Sequence, residues 1–224
     1  QGGRLNDDSW QSSCRKLWHE ASIDLTATSS EQTVGEKLGF SSSVSQVSDL
    51  QDRDAVLELG AGKDSFSDNP VRLDLHDYPS IDVVFDLEEL GKGGEQLPFP
   101  DEVFEVVRAK QVLEHIEHVE SVFEEVHRVL EDGGKFIVEV PHARSPNAFS
   151  EMGETGHCQF FNELALLHFG ENEWGIQNER MDCEFQVEKV RTFFNWEQGR
   201  LPNPFKFWKP EYIEAVYVKS REDV

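Results

Sequence analysis

Ala55-Val56-Leu57-Glu58-Leu59-Gly60-Ala61-Gly62 is the stretch that decides the fold. Its first five residues form an apolar, strand-like run, and the run stops at two glycines spaced by one residue. A buried strand ending in Gly-x-Gly lets the backbone approach a ligand closely, because neither glycine carries a side chain. Outward from it the pattern repeats. Val71–Leu75, carrying Asp74, is a second run; Ile81–Phe85 is a third, ended by Asp86; Phe104–Ala109 is a fourth. Short apolar runs closed by polar residues or glycine are how buried parallel strands read. Ser121–Leu130 places Val122, Phe123, Val126, Val129 and Leu130 at helical spacing, and Asp132-Gly133-Gly134 stops that helix. Lys135–Val140 reads as the fifth strand, ended by Pro141, and Asn162–Phe169 as a helix. Phe185–Phe194 and Tyr212–Lys219 read as the last two strands, joined by a Pro/aromatic loop. Strands alternating with helices predict an α/β fold: a mostly parallel sheet with helices on both faces and ligands at the carboxyl ends of the strands.

The strand tips carry glycine and acid, which is chemistry rather than packing. Dinucleotide sites hold a pyrophosphate at the start of a long helix. Here only residues 63–70 separate Gly62 from Val71, and a crossover including its helix takes about 10–12. Asp64 and Asp68 would also repel a pyrophosphate. This argues against a nucleotide-dependent oxidoreductase and for a nucleoside-like ligand without phosphates. Asp74, at the second tip, is placed to accept hydrogen bonds from both ribose hydroxyls. Asp86, at the third, is placed either to meet an adenine amino group or to cap a following helix.

The charge balance is extreme: 21 Lys and Arg against 44 Asp and Glu give a net −23. Such a surface repels phosphate backbones and argues against general nucleic-acid binding. It reads either as an ordinary acidic surface or as adaptation to high salt, where self-repulsion is screened. The longest aliphatic run is Leu164–Leu167, far short of the roughly 20 residues a membrane span needs. The first residues show no basic region followed by an apolar stretch, so no signal peptide is expected. Three cysteines without a Cys-x-x-Cys pair argue against a disulfide framework and point to a reducing cytoplasm. Residues 1–50 are rich in Ser, Thr, Asp and Gln and read as a partly helical N-terminal extension packing on a main domain of residues 51–224.

Five segments in order carry a family resemblance. Leu57-Glu58-Leu59-Gly60-Ala61-Gly62 resembles the first motif of the class I S-adenosylmethionine-dependent methyltransferases. Leu97-Pro98-Phe99-Pro100-Asp101-Glu102-Val103-Phe104-Glu105 resembles their LPFPDxxFD segment, with Glu105 where Asp is usual. Gln111-Val112-Leu113-Glu114-His115-Ile116 is similar to HVLEHI, with Gln111 for the first His. Val126-His127-Arg128-Val129-Leu130-Glu131-Asp132-Gly133-Gly134 is similar to xxRVLKPGG. His157-Cys158-Gln159-Phe160-Phe161 resembles the HxRFF segment of a subgroup with a reduced first helix. The resemblance implies a Rossmann-like, seven-stranded sheet with an antiparallel last strand. It implies S-adenosylmethionine as cofactor and methyl transfer to a small-molecule or lipid-like acceptor. It places Glu58, Gly60, Ala61 and Gly62 at the methionine part of the cofactor, Asp74 at the ribose, Asp86 and Leu87 at the adenine, and Gln111 near the sulfonium.

Methyl transfer rests mostly on orientation, and an acceptor hydroxyl or amine needs a base. His142 and His157 are the candidates, in the Gly/Pro-bearing stretch Pro141–Phe161, with His115 and Arg144 as substrate-binding candidates. Aromatic anchors Phe149, Phe160 and Phe161 would fix the ends of that stretch and let it move as a lid. His115 and His118, three apart, have metal-ligand spacing on a helix, but no third ligand is evident and no metal is expected. The alternative to an enzyme is a non-catalytic cofactor-binding or accessory protein with the same fold.

Overall fold

The computed structural model describes residues 53–63, 69–90, 95–149, 156–172, 181–195 and 209–220. The expected extension over 1–50, its boundary with the main domain, and the Pro/aromatic loop lie outside the described residues.

Seven strands form one sheet among the described residues: β1 (Val56–Leu59), β2 (Val71–Asp74), β3 (Val83–Val84), β4 (Phe104–Lys110), β5 (Leu130–Pro141), β6 (Phe185–Asn195) and β7 (Lys209–Lys219). Their order is β3-β2-β1-β4-β5-β7-β6. The first five are parallel, and β7 runs antiparallel to both β5 and β6. The chain leaves β1 toward β2 on one side and returns to β4 on the other. That reversal parts the loops at the carboxyl ends of β1 and β4, where an open α/β sheet forms its crevice.

Helix α1 (Val119–Val129) follows from its apolar stripe: Val119, Val122, Phe123, Val126 and Val129 are all buried. Phe123 is the hub of the core. Its ring lies 4.4 Å from Phe169, 5.0 Å from Phe136 and 5.0 Å from Tyr217, centroid to centroid. The Tyr217 hydroxyl donates to the Leu166 carbonyl at 2.7 Å and so ties helix α2 (Glu163–Leu167) to β7. Asn162 begins α2, its side chain accepting from the Ala165 amide at 2.8 Å.

Two expectations about elements need correction. The glycine pair 133–134 does not stop α1. The helix ends at Val129, and Leu130 already pairs with Phe104 as the first residue of β5. The register then jumps to Val106↔Lys135, so residues 131–134 form a bulge within the strand. Gly133 there has φ 78°, and a Cβ on Gly134 would stand 2.8 Å from the Glu131 carbonyl.

The strands are also not simply apolar runs; they alternate. Glu58 faces Arg72 on one side and Arg108 on the other, and Glu139 faces Glu214, which faces Arg191. These residues share one face of the sheet, while Leu57, Leu73, Val107, Phe136, Val138 and Tyr217 on the other join the hydrophobic core. Glu58, Arg108, Glu139 and Glu214 are all buried. Lys110 lies 3.5 Å from Glu139. Burial pulls the Arg108 guanidinium below its ordinary pKa, against the opposing pull of Glu58 and Glu214. Burial likewise pushes the Glu214 carboxyl up, against Lys189, Arg191 and Arg108. The face is mixed, its charged side chains set among the buried Val106, Ile137 and Val216.

Candidate functional site

The turn after β1 is built on two left-handed glycines, Gly60 at φ 60° and Gly62 at φ 57°. They are glycine for different reasons. A Cβ on Gly60 would stand 2.3 Å from Val112 Cγ2, so its bareness lets the tips of β1 and β4 pack together. A Cβ on Gly62 would meet nothing within 4 Å, so there it is the left-handed backbone, beside open space, that asks for glycine. The Ala61 amide donates to the Leu73 carbonyl at 3.1 Å, which folds the turn onto the end of β2.

Asp74, the last residue of β2, is 8% exposed. Its Oδ2 accepts from the Gly62 amide and its Oδ1 from the His76 amide, each at 2.8 Å. The carboxylate is thereby aimed at the glycine turn. Two ionised oxygens offer about four acceptor positions, so two remain for hydroxyls of a ligand. This donor and acceptor set fits the ribose of S-adenosylmethionine. Beyond β3, Asp86 Oδ1 accepts from the Glu88 amide at 3.0 Å and caps the short 3-10 turn Leu87–Glu89. The capping reading of Asp86 therefore holds. Leu87 is buried in the core cluster.

Gln111 sits at the tip of β4 with φ 54°, left-handed backbone that a non-glycine residue rarely adopts. Its amide donates to the Glu139 carbonyl at 2.8 Å. Glu58, two residues before Gly60, belongs to the charged face and acts on Arg108.

The candidate histidines fall into two separate places. His142, at the end of β5, is 4% exposed. Its Nδ1 accepts from the Arg144 amide at 2.9 Å, and its Nε2 lies 3.5 Å from a Glu163 carboxylate oxygen. Both ring nitrogens are thus engaged, with the proton on Nε2. Burial raises the Glu163 pKa, but the Thr192 hydroxyl, its own amide and His142 together bring it below the usual carboxylate value. These residues line a pocket of about 240 Å³ with Arg144, Asn162, Phe194 and Pro210. β7 opposes β5, so Pro210 and Thr192 lie at the same end of the sheet as His142. Glu163 and Thr192 carry no motif that sequence reading could have flagged; only the pairing of β6 with β7 and the start of α2 brings them here.

His157 sits elsewhere, its ring edge-on to His115 with centroids 4.7 Å apart. Its Nδ1 donates to the Ala148 carbonyl at 3.0 Å. The expected spacing of His115 and His118 on one helix is corrected: His115 ends the 3-10 turn Leu113–His115, and His118 stands before the first turn of α1. The aromatic anchors are corrected too. Phe161 is buried, but Phe149 and Phe160 are 53% and 41% exposed and stack on each other at 5.0 Å.

A family model described as a methyltransferase domain matches residues 37–172. No curated protein matches the sequence. Among solved structures, one chain of the complex between the Haloferax volcanii Trm112 methyltransferase activator and its methyltransferase partner is similar over 97% of this chain and 97% of its own. The identity is 14% and the TM-score 0.52. A Bacillus halodurans methyltransferase is similar over 74% of this chain and 92% of its own, at 16% identity and a TM-score of 0.50. At such identities the likeness is one of fold.

Proposed function

The chain belongs to the methyltransferase-domain family, and from that premise we propose that it methylates a small-molecule acceptor with S-adenosylmethionine held at the Gly60–Gly62 turn and Asp74. The observation that carries this reading is the bond from the Gly62 amide to Asp74 Oδ2, which unites the bare turn and the acid beside open space. When bound, S-adenosylmethionine supplies a methyl group activated on a positively charged sulfonium. The chain's part is to bind, orient and exclude water. Asp74 holds the ribose hydroxyls, Gly62 leaves room for the backbone approach, the Asp86–Leu87 backbone borders the adenine, and Gln111 with Glu58 shapes the floor toward the methionine end. The acidic surroundings favour a cation. Among the described residues no helix is long and apolar enough to cross a membrane.

We place the acceptor in the pocket between the ends of β5 and β6. At about 240 Å³ it lies just below the range of about 300–1,000 Å³ usual for ligand pockets and admits a small acceptor group. Arg144 on its wall suits an acceptor with a carboxylate or phosphate. His142, with both nitrogens engaged, positions the wall and Glu163. Titration calorimetry tests both halves. Asp74→Ala should weaken S-adenosylmethionine and its demethylated product tenfold or more, about 1.5–3 kcal/mol for charge-assisted bonds. Arg144→Ala should leave that affinity within about twofold and lower only acceptor turnover. Unchanged cofactor affinity in the Asp74 variant would remove the acid from the site.

A further inference from the structure

Glu163, the first residue of α2, puts a carboxylate on the wall of the pocket at the ends of β5 and β6. Its side chain is 49% exposed, so a molecule in the pocket can reach it. It is nevertheless held from two sides. The Thr192 hydroxyl donates to Oε1, and His142 Nε2 lies 3.5 Å from Oε2. Thr192 belongs to β6 and His142 stands just beyond β5, so two strands fix the position of one exposed acid.

Both donors are neutral. A hydroxyl carries no charge, and His142 accepts the Arg144 amide at Nδ1, so its ring carries one proton, on Nε2. The carboxylate is therefore oriented without being neutralised. Two ionised oxygens offer about four acceptor positions, which these donors do not exhaust. Arg144 lines the same pocket, but among the described residues it makes no ion pair with Glu163. Phe194 and Pro210 give the pocket an apolar wall, which weakens the screening by water and strengthens any charge pair formed there. A fixed anion and a separate cation around one small space are complementary to a molecule that carries both charges.

We propose that Glu163 selects an acceptor bearing an ammonium group, so that the acceptor is an amino-acid-like zwitterion with its acidic group on Arg144. This rests on the reading of the pocket as the acceptor site and supplies the second half of the acceptor's chemistry. An amine held against a carboxylate keeps its proton and has no lone pair to offer, so the methyl goes to a different atom of the acceptor. Thr192 and His142 act through Glu163 as positioning residues.

The test is saturation-transfer difference NMR on the full chain, saturated with the demethylated cofactor, using pairs of probes that differ only in the amine. The pairs are ω-amino acids of two to six carbons, each beside the unsubstituted acid of the same length, and phosphoethanolamine beside ethyl phosphate. In at least one pair the amine should tighten binding tenfold or more, as one charge-assisted bond does. Glu163→Gln should bring that preference within twofold, while the probe without the amine, relieved of a like charge, binds as well or better. Thr192→Val keeps the carboxylate but lets it swing, and should lower the preference severalfold. A merely structural role for Glu163 would weaken both members of a pair alike. Should Glu163→Gln fail to fold, the unmodified chain and Thr192→Val still decide the matter. Equal binding within every pair on the unmodified chain overturns the proposal and leaves the pocket reading standing. So does a preference that survives Glu163→Gln. No binding by any probe, with cofactor affinity intact, overturns the pocket reading and the proposal together.

Discussion

Gln111 and Gly62 adopt nearly the same left-handed backbone at neighbouring strand tips, yet only one of them is glycine. For a residue with a Cβ that conformation costs about 1–2 kcal/mol, and more for a β-branched one. Gln111→Val should therefore melt several degrees below Gln111→Gly, at about 2–4 °C per kcal/mol for a chain of this size. Equal melting temperatures would show that the tip relaxes without strain. Such backbone is invisible in the sequence, because a glutamine announces no special dihedral. The two glycines were legible as a turn but not as two different devices. Which of them faces Val112 and which faces open space depends on how β4 lies beside β1. The separation of His142 from His157 was hidden for the same reason. Both belong to one stretch of chain, but the bonds of residues 158 and 159 to the Glu114 carbonyl carry His157 away toward the 3-10 turn Leu113–His115.

Helix α1 explains why two of the family-like segments travel together. Arg128, near its end, donates to the Phe99 carbonyl at 2.8 Å and the Leu97 carbonyl at 3.0 Å. The same guanidinium pairs with Asp101 and Glu125, each at 2.7 Å, and Glu125 also accepts from the Leu97 amide at 2.7 Å. The Leu-Pro-Phe-Pro-Asp loop is thus clamped to the helix by one planar fork. A lysine keeps the charge but cannot serve two carbonyls and two carboxylates at once. Arg128→Lys should cost about 1–3 kcal/mol and lower the melting temperature accordingly, while cofactor affinity at saturating folding conditions stays near that of the unmodified chain. A melt indistinguishable from the parent would mean that the fork contributes nothing net. At this scale the sequence was readable: runs and spacing located the seven strands and two α-helices among the described residues, most of their ends to within a few residues. Errors gathered where tertiary pairing sets the boundary. β3 shrinks to Val83–Val84, and β5 begins at Leu130 because Phe104 stands ready to pair with it.

Across the whole molecule the net −23 demands a consequence. If the acid excess is an adaptation to high salt, the melting temperature should climb steadily from low to molar salt as repulsion is screened. A flat profile would leave the ordinary acidic reading standing. Screening acts mainly on the surface, however, and the charges on the inner face of the sheet are sheltered from it. Those charges bear on folding rather than on solubility. Side chains on a strand alternate, so a slip of one residue turns every one of them over. Were β4 to slip, Arg108 would swing into the ring cluster around Phe123, and Val107 would take its place between Glu58 and Ile137. A guanidinium stranded among phenylalanines, and two carboxylates left without it, are penalties of several kcal/mol. A sheet with two oily faces could tolerate such a slip for want of anything to object. Here the alternation of charge works as a ruler laid across the strands, by which a refolding chain rejects a misaligned neighbour before the core closes over the mistake.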